Sequence, residues 1–355
     1  MPDNDERIRK LGWSCSYTPI ELIHAADFTP VRILGHSHGI QVADGYMSPN
    51  MCHYVRSVVD MLAEGEYSSL EGIVIVNSCD AMRRLHDVWK EYYPSKFMYL
   101  LDLPVKQGSL DEEYFIKEVK SFRETLEKHS GSGITDERLL ESVKIYENAR
   151  RLYNEVESIR KKKNLDAIPA EKLFPLAMDF FTTPVEKWME STREYIKNLP
   201  DSGTEDEKRG EAIQVLVTGC PIHDESLIPL VESSGLSVTS IANCSGGRYF
   251  DLHVDVSGNV LENLALAYFN RSSCARMMRL QDRVDYIIEQ AKSNDAKGVI
   301  HYTLKFCDPY QYDTPNLEKI LADAGLKMLV LEDDGSGGNK GQFRTRLEAF
   351  KEILS

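Results

Sequence analysis

Seven cysteines, Cys15, Cys52, Cys79, Cys220, Cys244, Cys274 and Cys307, are the residues whose type and setting could do chemistry in this 355-residue chain. They stand in the segments WSCS, PNMCHY, NSCD, TGCP, NCSGG, SSCARM and KFCD. Six fall in loops at or near predicted strand ends, flanked by Ser, Thr, Asn, Gly, Asp or Pro, and Cys274 falls at a predicted helix start. A cysteine kept for packing belongs inside a strand or on an apolar helix face, because free cysteine behaves as a small buried hydrophobe. Ligands of open α/β sheets bind beyond the carboxyl ends of the strands, so thiols gathered at that edge in two domains would face a common cleft. This favours metal ligation over packing. The odd number and low density argue against a secreted disulfide framework. There is no CxxC pair, so zinc ribbons and ferredoxin-type loops match poorly. Polynuclear iron–sulfur clusters held by thiolates from separated loops suit the spacing better, and zinc bound by distant cysteines stays open as the alternative.

Other candidates are weaker. His36, Ser37 and His38 in GHSHG follow a predicted strand and are expected to face the same edge as the cysteines, as proton donors or substrate contacts; an ordinary polar loop is the plainer reading. His53 adjoins Cys52 and could donate a hydrogen bond near a metal centre. Arg248 in CSGGRYF and Arg276 in SSCARM are candidates to balance the charge of a cofactor or an anionic substrate. Asp80 and Asp308 follow Cys79 and Cys307 and are expected to cap the next helices. The run GSGGNKG, Gly335–Gly341, lacks the strand–turn–helix setting of a phosphate-binding loop and reads as a mobile loop.

The elements that must position these residues fall into three stretches. Residues 1–108 alternate strands and helices, with strands expected at Val31–Gly35, Gly72–Asn77 and Phe97–Leu101. Residues 109–208 are rich in Glu, Lys and Leu, carry helical periodicity and contain no cysteine; their charged faces are expected to be solvated. Residues 209–355 return to the first pattern, with strands AIQVLVT, LSVTSIA, GVIHYTL and KMLVLE and a closing helix in RTRLEAFKEIL. Continuous apolar runs joined by helical segments indicate parallel sheets covered on both faces. GIVIVNSCD and GVIHYTLKFCD end the two α/β stretches alike, which suggests a degenerate internal repeat. The fold class is therefore α/β: two flavodoxin-like (Rossmann-like) parallel-sheet domains with an intervening helical region.

A net charge of −14 disfavours nucleic acid as a partner, because that needs a concentrated basic face. An anionic ligand must find a local patch or helix N-terminus against this field. No apolar run approaches the ~20 residues that span a bilayer. The charged N-terminus has no apolar core of a secretory signal, so no membrane partner and a cytoplasmic location are expected.

At these residues the chain resembles the superfamily of 2-hydroxyacyl-CoA dehydratases (D-component), benzoyl-CoA reductases and double-cubane-cluster proteins. The resemblance runs along nearly the whole length and is carried by GYMSPNMCHYVRSVVDMLAEGEYSSLEGIVIVNSCDAMRRLHDVW, TGCPIHD, NCSGGRYF and GVIHYTLKFCDPYQYD. It implies a [4Fe–4S] cluster on Cys52, Cys79 and Cys307, with one iron left open for substrate. Cys15, Cys220, Cys244 and Cys274 exceed that need and look more like a double-cubane [8Fe–9S] arrangement. Cys244, Cys274 and one of Cys15 or Cys220 would then hold the second cubane. The implied activity is one-electron, ketyl-radical removal of water from a 2-hydroxyacyl thioester. The alternatives are a homodimeric double-cubane reductase of small molecules and a non-catalytic electron-transfer or scaffold subunit. The implied partners are an acyl-CoA or other small-molecule substrate, a second copy or a paralogous dehydratase subunit, and an ATP-hydrolysing iron–sulfur activator. This chain has no GxxxxGK[ST] loop, so ATP hydrolysis falls to the partner.

Overall fold

A strand with branched apolar side chains on both faces must be covered on both. GIVIV and GVIHYTL meet that condition, for every residue of either strand is buried. The computed structural model describes residues 8–106, 108–162, 168–199 and 212–355. Among these, the first stretch runs β1 (Lys10–Trp13), α1 (Ile20–Ala25), β2 (Thr29–Arg32), α2 (His53–Ala63), β3 (Gly72–Val76), α3 (Asp80–Tyr92) and β4 (Phe97–Leu101). Four helices follow: α4 (Ser109–Ser130), α5 (Asp136–Lys162), α6 (Ala170–Thr182) and α7 (Val185–Lys197). The last stretch runs β5 (Ile213–Gly219), α8 (Leu227–Ser233), β6 (Leu236–Ala242), α9 (Gly247–Phe250) and α10 (Val260–Asn270). It closes with α11 (Leu280–Ser293), β7 (Gly298–Leu304), α12 (Asp308–Asp323), β8 (Lys327–Asp333) and α13 (Lys340–Leu354). The expected boundary between residues 208 and 209 lies outside the described residues.

The strands form two parallel sheets, ordered β2-β1-β3-β4 and β6-β5-β7-β8. Both are flavodoxin-like, and the strand order reverses beside β1 in one and beside β5 in the other. Crevices open at such switch points beyond the carboxyl ends of the strands. Cys15 follows β1 and Cys79 follows β3; Cys220 follows β5 and Cys307 follows β7. The repeat read from the sequence thus has a matching topology.

Two expectations need correction. The strand expected at Val31–Gly35 spans Thr29–Arg32, and the central strand β1 was not anticipated, because KLGW is short and opens on Lys. The helical stretch is also not simply solvated. Arg150 and Arg160 are 1% and 2% exposed. Arg150 pairs with Glu21 of α1, whose other oxygen accepts a 2.9 Å hydrogen bond from Tyr268 of α10. Arg160 donates to the carbonyls of Ile168 (2.7 Å), Thr239 (2.9 Å) and Val238. A buried charge is costly unless it is paired or hydrogen-bonded. Arg160 is met by three carbonyls and Arg150 by Glu21 and Glu147, although the Arg150 Nε has no partner.

The helices also join the two sheets through a shared core. Trp13 of β1 stacks on Tyr249 of α9 at 5.7 Å between ring centroids, and Phe181 of α6 meets Trp13 edge-on at 5.8 Å. Such aromatic pairs add roughly 0.5–1.5 kcal/mol each beyond area burial. No helix among the described residues is long and apolar enough to cross a membrane.

Candidate functional site

Cys52, Cys79 and Cys307 are the N-cap residues of α2, α3 and α12. The first turn of a helix presents unpaired N–H groups and the positive end of its dipole, so three such ends favour negative charge on these sulfurs. None makes a capping hydrogen bond of strict geometry. Even so, the amides of Val55 and Met82 lie near enough to the Cys52 and Cys79 thiols to work against the upward push of burial. Burial still wins: it drives the Cys52 thiol well above its ordinary range and the Cys79 thiol up to about 11. Cys307 is raised first by its hydrogen bond with Cys220 and then by burial. Bare thiols here are protonated, and a cation must draw off those protons to bind.

All seven cysteines line one cavity of about 110 Å3, and all seven are free. At ~30 Å3 per water in the liquid this is room for about three or four waters, more than a single ion needs. No three His, Cys, Asp or Glu side chains among the described residues converge closely enough to hold one metal ion. Widely spaced thiols around such a volume fit a polynuclear inorganic core better than mononuclear zinc. Cys52, Cys79 and Cys307 also line an adjoining cleft of about 520 Å3, together with Asn50, Arg83, Phe306 and Tyr312. Phe306, just before Cys307, is held at φ 64°, a strained setting for a residue with a side chain.

The other thiols line the cavity but not the cleft. Cys15 feels Cys274 and Cys244 as its neighbouring thiols, whereas Cys52 feels Cys307 and Cys79. Burial, then Cys274, pushes the Cys15 thiol up to about 11. Cys220, fully buried, stands beside Cys307, with its Sγ 3.8 Å from Thr303 Oγ1. Cys244 differs from the rest. Burial works to raise its thiol, yet Arg32 and Arg248 outweigh burial and hold it below its ordinary value. The Arg32 guanidinium donates to the Cys244 carbonyl at 2.6 Å and to its Sγ at 3.3 Å, and stacks over Phe181 at 4.5 Å.

Two further arginines tie the thiol loops together. Arg271 donates to the carbonyls of Ser16, Arg248 (2.9 Å) and Tyr249 (3.1 Å), joining the Cys15 loop to α9. Arg276 donates to the carbonyls of Ser78 (3.1 Å), Asn77 (3.1 Å) and Leu103, which fixes the turn before Cys79. The sequence reading named Arg248 and Arg276 but missed Arg32 and Arg271. Nothing local marks either, because their partners lie far away along the chain.

Several expectations are corrected. His36, Ser37 and His38 are not among the residues that line the cavity or the cleft. His36 Nε2 bonds Asp60 at 3.3 Å, and its ring stacks on His38 at 3.5 Å; Asp60 also accepts the amides of Gln41, Val42 and Ala43, so this is a loop anchor. His53 donates through Nε2 to the His38 carbonyl at 2.8 Å and stacks on His223, and it lines neither the cavity nor the cleft. Cys274 lies in a loop ahead of α11, not at its start. Asp80 and Asp308 are first-turn residues, and the cysteines before them occupy the caps. The Gly335–Gly341 run is bonded in place: Asp333 Oδ1 accepts from the Gly335 amide at 2.9 Å and from Asn339 Nδ2 at 3.2 Å.

With this geometry established, comparison with known proteins is decisive. The family model described as 2-hydroxyglutaryl-CoA dehydratase, D-component, matches residues 15–354. The chain belongs to that family. Its relatives include the (R)-phenyllactyl-CoA dehydratase beta subunit of Clostridium sporogenes, 26% identical over 98% of this chain and 92% of that protein. A benzoyl-CoA reductase subunit of Thauera aromatica is 28% identical over 95% and 89%. The lactoyl-CoA dehydratase subunit beta of Anaerotignum propionicum is 24% identical over 95% and 90%. Each is named as a subunit of a larger enzyme, and this D-component family member is of the 2-hydroxyacyl-CoA dehydratase-like enzyme type.

Proposed function

We propose that the chain is an iron–sulfur subunit of 2-hydroxyacyl-CoA dehydratase type that performs one-electron chemistry on an acyl-CoA thioester. The observation that carries this reading is the convergence of seven free thiols, from loops at the ends of two parallel sheets, on one cavity that meets a cleft. The names of the relatives support an acyl-CoA substrate.

Cys52, Cys79 and Cys307 would hold a [4Fe–4S] cluster at the cleft, leaving one iron without a thiolate. When bound, such a cluster would supply single electrons, the chemistry that ketyl-radical removal of water from a 2-hydroxyacyl thioester requires. The chain's own residues do the rest. Helix N-termini of α2, α3 and α12 offset the anionic charge of the thiolates. Phe306 and Tyr312, the latter 82% exposed, offer aromatic surface at the cleft for the acyl group. Arg83, half-exposed there, can meet an anionic group of the ligand. Thiol ligands of this kind suit a reducing cytoplasm. The electron donor would be a separate ATP-hydrolysing iron–sulfur activator, and a paralogous subunit or second copy would complete the enzyme.

A second form of the reading has its own support. Cys15, Cys244 and Cys274 line the same cavity as the cleft-side set and are not dispersed through the core. They would hold the second half of a double-cubane [8Fe–9S] centre, with Cys15 favoured over Cys220 because it neighbours Cys244 and Cys274. Anaerobic purification or reconstitution, with iron and sulfide quantification and EPR, tests both forms. About four irons per chain supports one cubane and about eight supports two. A chain that retains no iron and gives no cluster spectrum after reconstitution would refute the proposal.

A further inference from the structure

The charges around the cavity are not evenly shared. Beside Cys244, Arg32 is 3% exposed and Arg248 5% exposed, and both line the cavity with it. Arg32 touches the sulfur itself, whereas Arg276 lines both the cavity and the cleft and favours neither side. On the cleft side, the neighbours of Cys52 and Cys79 are other thiols and first-turn amides, and the arginine lining the cleft, Arg83, is half-exposed and paired with Asp80. A helix N-terminus is worth about half a charge, while each guanidinium is a whole one. Reduction adds one negative charge to a centre, and a cation in the water-poor interior stabilises that charge far more than one at the surface.

We propose that Arg32 and Arg248 make the Cys15–Cys244–Cys274 side of the cavity the more readily reduced half of the centre, where an incoming electron rests before use. This rests on the two-cubane form of the proposed function. A low-potential iron–sulfur donor supplies the electron, no bond forms or breaks as it arrives, and the two guanidinium groups offset its charge. It would leave toward the side of Cys52, Cys79 and Cys307, the cysteines that line the cleft, for a thioester carbonyl bound there. Water entering the cleft favours charge on that side and opposes the effect. The direct contact of Arg32 with a ligand sulfur in a buried setting outweighs it. Arg32 and Arg248 are on this view positioning residues that set a potential; they touch no substrate.

The test is an anaerobic potentiometric titration of the reconstituted full chain, followed by EPR, with iron measured on each sample. The wild type is expected to take up electrons in two separate waves. Arg32→Gln and Arg248→Gln, fully loaded with iron, should each move the upper wave to more negative potential and leave the lower one in place. Unmoved waves, or a shift confined to the lower wave, overturn the assignment. If one glutamine variant loses iron, the other is read in its place, with no shift again counting against the proposal. Arg32→Lys, which keeps the charge, should leave the upper wave close to its wild-type position, and a shift there as large as that of glutamine also counts against it. About four irons per wild-type chain would refute the two-cubane reading, and this inference with it. About eight irons with arginine-independent potentials refutes the inference alone.

Discussion

Cys79 and Cys307 are structural counterparts: each follows the strand next to the switch point of its sheet, and each is the N-cap of the helix that leaves it. They come from opposite ends of the chain and line the same cavity and cleft. Cys307→Ser should therefore lower iron and labile sulfide by one cubane and remove its EPR signal, while the far-ultraviolet circular dichroism stays that of the wild type. Unchanged iron and spectra would show that Cys307 is not a ligand.

Arg150 should be a stability determinant remote from any chemistry. Removing it by Arg150→Met leaves Glu21 buried with its charge answered only by Tyr268. Loss of one partner of a buried pair costs about 3–5 kcal/mol. Urea unfolding should show that loss, and the double variant Glu21→Leu/Arg150→Met should recover part of it. A cost below ~1 kcal/mol for the single variant would mean the contact carries little weight.

Gly219, at the end of β5 and just before Cys220, has φ 115°, and a Cβ there would overlap the Tyr302 carbonyl of β7. Gly219→Ala should destabilise the chain by about 1–3 kcal/mol or more, since the backbone setting and the close strand contact both resist it. Thermal melting in a fixed metal-loaded state checks this; an unshifted melting temperature contradicts it.

A pH dependence follows from Glu157 of α5. Its Oε1 is cut off from solvent, and burial, then the nearby Asp251 carboxylate, pushes its carboxyl up to about 7 from an ordinary 4.5. The folded chain thus holds this proton more tightly than the unfolded chain does. The stability it contributes is complete below 4.5 and is lost as pH rises through about 7, on the order of 3 kcal/mol in all. Glu157→Gln should flatten the fall in unfolding free energy between pH 5 and pH 8. An identical fall in variant and wild type would assign it to other groups.

How much of this was legible in the sequence depended on whether the deciding partner was local. GIVIV, LSVTSIA and GVIHYTL announce buried parallel strands through composition alone, and the cysteines at their ends are therefore readable as edge residues. KLGW is central in its sheet but too short and too mixed to stand out. Arg32, Arg150 and Arg160 look like surface residues in a linear reading, because what buries them lies at Cys244, Glu21 and Val238. GHSHG misled for the opposite reason: its histidines look chemically ready, yet a buried aspartate from α2 takes one of them for loop anchoring.

The N-cap positions of Cys52, Cys79 and Cys307 also bear on biogenesis. A nascent chain emerging from the ribosome presents the first two sulfurs long before the third has been translated. Any cofactor delivered co-translationally would meet only part of its coordination sphere and stay exposed to oxygen. If these three sulfurs hold one cluster, its insertion would wait until Cys307 has been translated.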